Sequence, residues 1–330
     1  MNLYDIEVIT TGGVLPSLDD SNFFHSSQLF TLIARTPRQK PYMVVARRKD
    51  DGTLAAHMLG IVRQRGSWFP PYLYRHCRLL GEGVYSPSVT TEPGAQSELF
   101  RQMLQVLRRR LGNRVLYIEV SNVSQKMFAY REFRQEAFFP VRWMSIHNSL
   151  HSHTPEERIS ERLQQRINQA YQRGVVTGKV KNEADFKAFL KLLRRHNILK
   201  PKRYIPHDDF FRDIHEKGYG RLYVTKFRNH VIGCSAVVNT GGNAYLWYSA
   251  FRRKSYAFVH PDIMTIWHAI KDAHEQGYQH IYFLDVGLPF KKNSFRDFIL
   301  SFGGKPVSTY RWFRFSIRWM NSLLSWFFRD

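Results

Sequence analysis

The chain has 330 residues, of which 43% are hydrophobic, 15% aromatic and 23% charged. It is long enough for about two globular domains, and fibrous, low-complexity and disordered classes are excluded for most of its length. Lysine and arginine number 49 against 27 acidic residues, a formal net charge of +22 that indicates a polyanionic partner: nucleic acid, an anionic membrane or a phosphate-rich substrate.

The cysteines and the hydropathy pattern indicate which structural features and which cellular location to expect. The two cysteines, Cys77 and Cys234, are far apart, which argues against a disulfide framework and a structural zinc site. The first residues, MNLYDIEVITTGG, do not resemble a signal peptide, and no window approaches the roughly 18 apolar residues of a transmembrane helix. We therefore expect a cytoplasmic protein, soluble or bound peripherally to the inner face of the cytoplasmic membrane.

The first half of the chain predicts a mixed α/β unit. A short helix is expected at 24–35, and two β-branched runs on either side of Asp51-Gly52 predict a hairpin. Apolar residues at helical spacing then predict a helix from Ala95 to Leu111, which Gly112 ends before a strand at 115–120.

The second half repeats this order of elements. Residues 221–238 read as strand, turn and strand, a third strand follows at 243–251, and a helix leads to a strand at 280–286. The pattern indicates a tandem duplication of one α/β unit, although hairpins and helix-strand pairs are common enough to recur by chance.

A basic helix is predicted between the halves. Thr154 and Glu157 have the spacing of a capping box, and the helix should run to about Arg173. We place the domain boundary at its start, giving domains 1–149 and 150–330. One helix face carries basic residues that can bind phosphates or simply face water: Arg158, Arg162, Arg166 and Arg173.

The last segment predicts a half-buried strand at 309–318 and then a terminal amphipathic helix at 319–328. The apolar face of this helix includes Trp319, Leu323 and Trp326. With arginines before it, the segment 311–328 fits a helix lying on an anionic membrane, and a helix packed on the protein's own core is the equal alternative.

Residues that could carry chemistry are few. Walker A, G-x-S-x-G, H-E-x-x-H and dinucleotide motifs are absent, and His147, His151 and His153 lack the nearby ligands that a metal would need, so no metal is expected.

A loop after the third strand of the second half, just before a helix, could hold a phosphate through its side chains and the helix amides, or could be a solvated turn. Its side chains are Arg252, Arg253, Lys254 and Ser255. Asp285 ends a strand, where functional groups are common, and could equally cap the next helix.

Three motifs resemble the FemAB-like branch of the GNAT acyltransferase superfamily. Phe24-His25-Ser26 followed by Phe30 is similar to an F-Q-S-x-x-W opening, and VRWMSIHNSLHSHTPEERISERLQQRINQAYQRGV resembles the inter-domain passage. LDVGLPFKKNSFRDFILSFGG resembles the closing D-x-G … F-K-x-x-F-G-G. In this closing motif Phe298 takes the aromatic position, but the lysine position falls on Ile299.

The resemblance implies an α/β protein (mixed α+β) with two tandem GNAT-like domains. Each domain would be a twisted mixed sheet flanked by helices. It also implies an N-acyl or aminoacyl transferase acting on an amine of a cell-envelope precursor, which is a peptidoglycan, polysaccharide or lipid. No permanently bound cofactor is expected. The co-substrate is aminoacyl-tRNA, which the net charge favours, or an acyl-CoA or acyl-carrier thioester, which the missing lysine favours.

This resemblance and the basic loops assign expected roles to residues. The loop at 252–255 would bind donor phosphates, and Asp285 or Tyr248 would accept a proton or position the substrates. Arg162 and Arg166 would meet a phosphorylated or lipid-linked acceptor. Three residues are expected near the transfer site: Lys291, Lys292 and Phe298. The alternative is a non-catalytic GNAT scaffold that binds RNA or an anionic membrane through its basic surface.

Overall fold

The computed structural model describes residues 3–13, 15–18, 22–67, 70–198, 205–284, 286 and 292–328. The chain divides into two compact units: unit 1 consists of Met1–Trp143 and Ser308–Asp330, and unit 2 of Met144–Val307. The boundary thus lies a few residues before the predicted one at 149/150. Residues 308–330, which the sequence assigned to the second domain, belong to unit 1.

Thirteen strands and ten α-helices are found in the described residues. The strands are β1 (Tyr4–Ile9), β2 (Gln39–Arg48), β3 (Leu54–Gly66), β4 (Leu73–Leu80), β5 (Val84–Tyr85), β6 (Tyr117–Ser121), β7 (Phe139–Ser149), β8 (Val175–Lys179), β9 (Gly220–Phe227), β10 (His230–Thr240), β11 (Asn243–Phe251), β12 (His280–Phe283) and β13 (Lys305–Phe315). The helices are α1 (Ser27–Arg35), α2 (Pro87–Thr90), α3 (Ala95–Leu111), α4 (Tyr130–Gln135), α5 (Glu161–Gln172), α6 (Glu183–Asn197), α7 (Asp208–Glu216), α8 (Pro261–Glu275), α9 (Ser294–Leu300) and α10 (Arg318–Phe327).

The two units repeat one arrangement of elements. In unit 1 the hairpin β2-β3 is followed by β4, by α3 and by β6, which pairs in parallel with β4. In unit 2 the hairpin β9-β10 is followed by β11, by α8 and by β12, which pairs in parallel with β11. The predicted mixed α/β class and its repeat are therefore confirmed.

Each unit completes its sheet with a strand from the other half of the chain. Residues 312–315 of β13 pair antiparallel with β6 in unit 1, and residues 146–149 of β7 pair antiparallel with β12 in unit 2. Because this exchange involves partners far apart in sequence, local patterns could not reveal it. It is the reason that the C-terminal segment returns to unit 1.

Helix α3 shows how the sequence builds the core of unit 1. The apolar residues recur at helical spacing, so one face of the helix can be buried, and they include Leu99, Met103 and Leu107, all fully buried. Each such side chain contributes about 1.5–3 kcal/mol through removal of apolar surface from water. Helix α8 of unit 2 is buried on most of its surface instead, which fixes its position over the sheet.

The basic helix between the halves begins later than the sequence predicts. Glu157 does accept hydrogen bonds from Thr154, as a capping box would require, but only a 3-10 turn follows at Glu156–Arg158. The α-helix α5 begins later, where the Ser160 hydroxyl accepts from the Leu163 N–H at 3.3 Å. Arg158 therefore lies outside the helix on which it was predicted.

The two cysteines are core residues. Cys77 and Cys234 are both buried thiols, and burial raises the pKa of each. None of the helices in the described ranges is both long enough and apolar enough to cross a membrane.

The turn between α9 and β13 allows a test of the fold of unit 2. Gly303 has φ +81°, and an added Cβ would lie 2.6 Å from the Arg158 carbonyl oxygen. We expect Gly303→Ala to lower the free energy of unfolding by about 2 kcal/mol or more, from backbone strain and steric overlap. Denaturant unfolding measures the change, with Gly178→Ala as the control because its Cβ would meet nothing within 4 Å. Equal stability of the two variants would contradict this packing.

Candidate functional site

The parallel pair β11-β12 separates early. Only three residue pairs join the strands, and the last pairs Leu246 with Phe283. At the next residue, Trp247, β11 bulges relative to β10. A bulge bends and twists its strand, and no strand of the described residues pairs with this edge of β11 beyond Leu246. Within the described residues, the edge leading to Phe251 is therefore open.

The loop that follows β11 is attached to the sheet at its first residue. The Arg252 N–H donates to the Ile232 carbonyl at 2.8 Å, and the Arg252 carbonyl accepts from the Tyr256 N–H at 3.2 Å. The side chain of Arg252 is half-buried, and its buried Nε has no hydrogen-bond partner among the described atoms. Because buried polar groups are normally paired, this N–H is a candidate donor to a ligand.

A carboxylate occupies the start of α8. Asp262 is buried, and its Oδ1 accepts from the Ile263 N–H at 3.0 Å while its Oδ2 lies 3.2 Å from Arg253 Nε. A negative group is favoured at a helix N-terminus. The sequence assigned this place to a bound phosphate, and Asp262 takes up one of the α8 amides that such a phosphate could use. Arg253 is also already paired there.

A cavity of about 740 Å³ opens beside this loop, within the usual range for small-molecule sites. It is formed by the end of α6, the end of β11, the loop and the start of α9. The residues that line it are Leu192, Arg195, His196, Ser249, Phe251, Arg252, Arg253, Lys254, Ser255, Asp262, Asn293, Ser294, Phe295 and Phe298. Four of these are cationic and only Asp262 is acidic, so the described lining favours an anionic ligand.

One wall of the cavity is aromatic. The ring of Phe298 lies 6.4 Å from that of Phe251 and 6.3 Å from that of Phe295, and the His196 ring lies 5.4 Å from Phe251. Phe298, predicted near the transfer site, is thus one of the lining residues. Such a wall can stack against a planar group or hold an aliphatic arm while the basic loop holds a charge.

The start of α9 is held by Asn293. Its Oδ1 accepts from the N–H groups of Phe295 and Arg296 at 3.0 and 3.3 Å, and its Nδ2 donates to the Val286 carbonyl at 2.8 Å. On the same helix Ile299, at the position of the family lysine, is fully buried in the core of unit 2. Ile299 therefore packs in the core and does not provide the charged group that a lysine would offer to a substrate.

Other predicted residues lie elsewhere or outside the described residues. Asp285 and Lys291 fall outside them, and Lys292 is exposed and does not line the cavity. Tyr248 is buried, with its ring centroid 5.3 Å from that of Phe211 and 5.6 Å from that of Trp247. It also is not among the lining residues.

The basic face of α5 meets the loop from a different direction. Arg162 is exposed and Arg166 is half-buried on α5, and Arg173, just beyond its end, donates to the Phe258 carbonyl. Partial burial and the charges of Arg166 and Arg173 lower the pKa of His260, which precedes α8. No α5 residue is in the described lining of the cavity.

Sequence reasoning missed the residues that reach the cavity from other elements, chiefly Arg195 and His196. They end α6, about 60 positions before the loop, so no local pattern joins them to it. Ser249 and Phe251 could have been found, because they lie at the carboxyl end of β11, where α/β sheets commonly bind ligands.

His147 and His151 both lie near His280, and His153 pairs with a different residue. The rings of His147 and His151 lie 5.1 and 5.3 Å from that of His280, whereas His153 Nδ1 lies 3.0 Å from a Glu157 carboxylate oxygen. Burial is the main cause that lowers the pKa of His147. Within the described part of the chain, no three His, Cys, Asp or Glu side chains are arranged to hold a metal ion.

Comparisons with known proteins bear on the fold. Residues 157–292 match the family model described as Acetyltransferase (GNAT) domain. The crystal structure of FemX is similar with a TM-score of 0.62 at 11% identity, covering 92% of this chain and 94% of that one. No curated protein sequence matches significantly.

Two other solved structures are similar over nearly their whole length. L-PGS from Bacillus licheniformis has a TM-score of 0.59 at 10% identity, covering 91% of this chain and 93% of its own. A tandem GNAT protein from the clavulanic acid biosynthesis pathway has a TM-score of 0.52 at 12% identity, covering 94% and 99%. At these identities the likeness concerns the fold.

The unpartnered Arg252 Nε leads to a binding prediction. We expect Arg252→Gln to weaken the binding of inorganic pyrophosphate by about tenfold, because a charge-assisted hydrogen bond is lost. Isothermal titration at low salt measures the change. Lys181→Gln, which removes an exposed charge of unit 2 away from the cavity, should bind as the unchanged protein does. Equal losses in both variants would mean that only the net charge attracts the anion.

Proposed function

Since the chain has the fold of FemAB-like tandem GNAT proteins, with a GNAT domain at residues 157–292, we propose that it is an N-acyl or aminoacyl transferase. Its acceptor would be an amine of a cell-envelope precursor, a class that includes peptidoglycan, polysaccharide and lipid precursors. The observation that carries the proposal is the cavity at the end of β11, where an open strand edge, a basic loop and an aromatic wall meet.

The reaction sets requirements that this cavity can meet. The amine nitrogen attacks the donor carbonyl carbon, a C–N bond forms, and the C–S bond of a thioester or the C–O bond of an aminoacyl ester breaks. The acceptor ammonium must first lose a proton, and the departing thiolate or alkoxide takes one up. Backbone N–H groups on the open edge of β11 are suited to stabilise the oxyanion that forms in between.

The donor would be held by its phosphates. Arg252, Lys254 and Ser255 line the cavity without a charged partner among the described residues, whereas Arg253 is shared with Asp262. Coenzyme A and the acceptor end of tRNA both present an adenosine with phosphate groups, so the basic loop and the aromatic wall suit either. Aminoacyl-tRNA and an acyl-CoA or acyl-carrier thioester are therefore both candidate co-substrates.

Proton transfer and acceptor binding are assigned to other residues. Asp285, which follows β12 in sequence, would be the proton acceptor, and Tyr248, which is buried and directly precedes the lining residue Ser249, would be a positioning residue. Lys291 and Lys292 belong to the segment that leads to α9 and to Phe298. On α5, the exposed Arg162 and the half-buried Arg166 would bind the phosphates of a nucleotide-linked or lipid-linked acceptor.

Labelled transfer tests the proposal directly. The purified protein is incubated separately with labelled aminoacyl-tRNA, acyl-CoA and acyl-carrier protein, each with an extract of envelope precursors and lipids. Label in a product that resists mild alkali indicates an amide and identifies the donor class. Failure of every donor, together with retained binding of RNA, would favour the non-catalytic scaffold instead.

A variant of Asp285 tests the proton acceptor. We expect Asp285→Asn to reduce transfer by about 10²–10⁴-fold with donor binding retained, because the isosteric amide cannot accept the ammonium proton. His196→Gln is the comparison, since His196 lines the cavity and can also accept a proton. Loss of transfer in His196→Gln with full activity in Asp285→Asn would move the role to the histidine. Thermal unfolding of both variants checks that neither loss reflects misfolding.

A further inference from the structure

The terminal helix α10 exposes its apolar side. None of its residues is buried. Trp319, Leu323, Trp326 and Phe327 are each more than half exposed, and the spacing of 319, 323 and 326 puts these residues on one helix face. The alternative that this helix packs its apolar face on the protein's own core is therefore wrong.

The helix is held in this orientation by its other side. Asn321 Oδ1 accepts from the Phe315 N–H at 2.8 Å, and Asn321 Nδ2 donates to the Ala137 carbonyl at 3.0 Å. At the end of the segment the Phe328 ring stacks on Phe139 with a centroid distance of 5.9 Å. A polar residue thus fixes the helix to unit 1, and the apolar residues are directed outward.

A second element extends the apolar region. Ile317, just before α10, and Leu73, at the start of β4, line the same groove, and both are exposed. The two segments are linked through Leu116, since the Ser316 N–H donates to the Leu116 carbonyl at 2.9 Å and the Leu116 N–H donates to the Arg75 carbonyl at 2.7 Å. We call the set exposed here the outer apolar surface: Leu73, Ile317, Trp319, Leu323, Trp326 and Phe327.

The exposed charged side chains of the segments that build this surface are arginines. Residues 63–80, 105–118 and 311–328 contain no aspartate or glutamate, and their described, exposed arginines are Arg75, Arg109, Arg110, Arg114 and Arg318. Arg75 and Arg114 line the groove, and Arg318 begins α10; all three are exposed. Burial and the charges of Arg108 and Arg318 lower the pKa of Arg314, which reflects how closely the arginines are grouped.

We propose that the outer apolar surface docks on an anionic lipid bilayer, with α10 lying in the plane of the interface. Tryptophan, leucine and phenylalanine would enter the boundary between headgroups and acyl chains, and the exposed arginines would remain among anionic headgroups. RNA is the less suitable partner, because the outward aliphatic side chains of Ile317 and Leu323 would gain nothing from bases or phosphates. This proposal goes beyond the transferase function and does not depend on it.

Vesicle flotation tests the docking. The full chain is mixed with vesicles of phosphatidylcholine alone or of phosphatidylcholine with phosphatidylglycerol. We expect binding to the anionic vesicles, weakened by salt, and little binding to the zwitterionic ones. Leu323→Gln combined with Trp326→Gln should lower the partition coefficient by about tenfold or more, because two apolar side chains no longer enter the bilayer. Val176→Gln, an equally exposed apolar site in unit 2, is the control and should bind normally.

Two further experiments test separately the contribution of the arginines and the insertion of the tryptophans into the bilayer. Removing Arg75, Arg114 and Arg318 together, each as Arg→Gln, should abolish the preference for anionic vesicles, whereas removing the exposed Lys179, Lys181 and Lys191 should not. Trp319→Phe with Trp326→Phe should keep most of the binding but lose quenching of fluorescence by brominated lipid. Absence of vesicle binding would overturn the proposal, as would equal binding after the glutamine substitutions. So would light scattering that shows a dimer which those substitutions dissociate.

Discussion

The early end of pairing between β11 and β12 is the constraint on which the site depends. A bulge at Trp247 bends the rest of β11, so the strand still pairs with β10, while no other described strand pairs with its second edge beyond Leu246. The crossover helix α8 cannot follow this divergence, because it is buried on most sides and Asp272 accepts from Tyr223 Oη at 2.5 Å and Arg221 at 2.7 Å. The loop between them must therefore span the gap, and it places Arg252 and Asp262 at the mouth of the cavity. Had the two strands paired along their full length, no edge would remain for a ligand.

What the sequence could predict follows from the range over which each interaction acts. The hairpin at Gly52 and helix α3 depend on turn chemistry and apolar spacing within a few residues, so both were predicted correctly. The start of α5 was missed because Ser160 competes with Thr154 as a cap, and the sequence does not show which one the packing selects. The exchange of β7 and β13 was beyond local reasoning altogether, since each pairs with a strand more than a hundred residues away.

The candidate site divides in the same way. The basic loop and Phe298 were found because each lies in a continuous motif, and both line the cavity. Arg195 and His196 enter from α6 by tertiary packing alone. In the closing motif, the structure gives the glycines and the residue at the lysine position a role in packing. Gly303 passes against the Arg158 backbone and Phe302 accepts a hydrogen bond from Asn148, so the ending is structural, and Ile299 contributes to the same core.

Several arginines of unit 1 that are buried or half-buried lie beside a carboxylate. Inside unit 1 single carboxylates each serve two arginines: Glu119 lies 3.3 Å from Arg78 and 3.2 Å from Arg311, and Glu136 is within 3.3 Å of Arg101 and of Arg108. Acidic residues are thus used where desolvation makes an unpaired cation most costly. Among the described residues, exposed cations lie in the cavity of unit 2 and, as a separate set, beside the outer apolar surface of unit 1. Because these two sets share no residue, a charge removed from one leaves the other intact, and ligand binding in the cavity and attachment to a membrane become properties that substitution can separate.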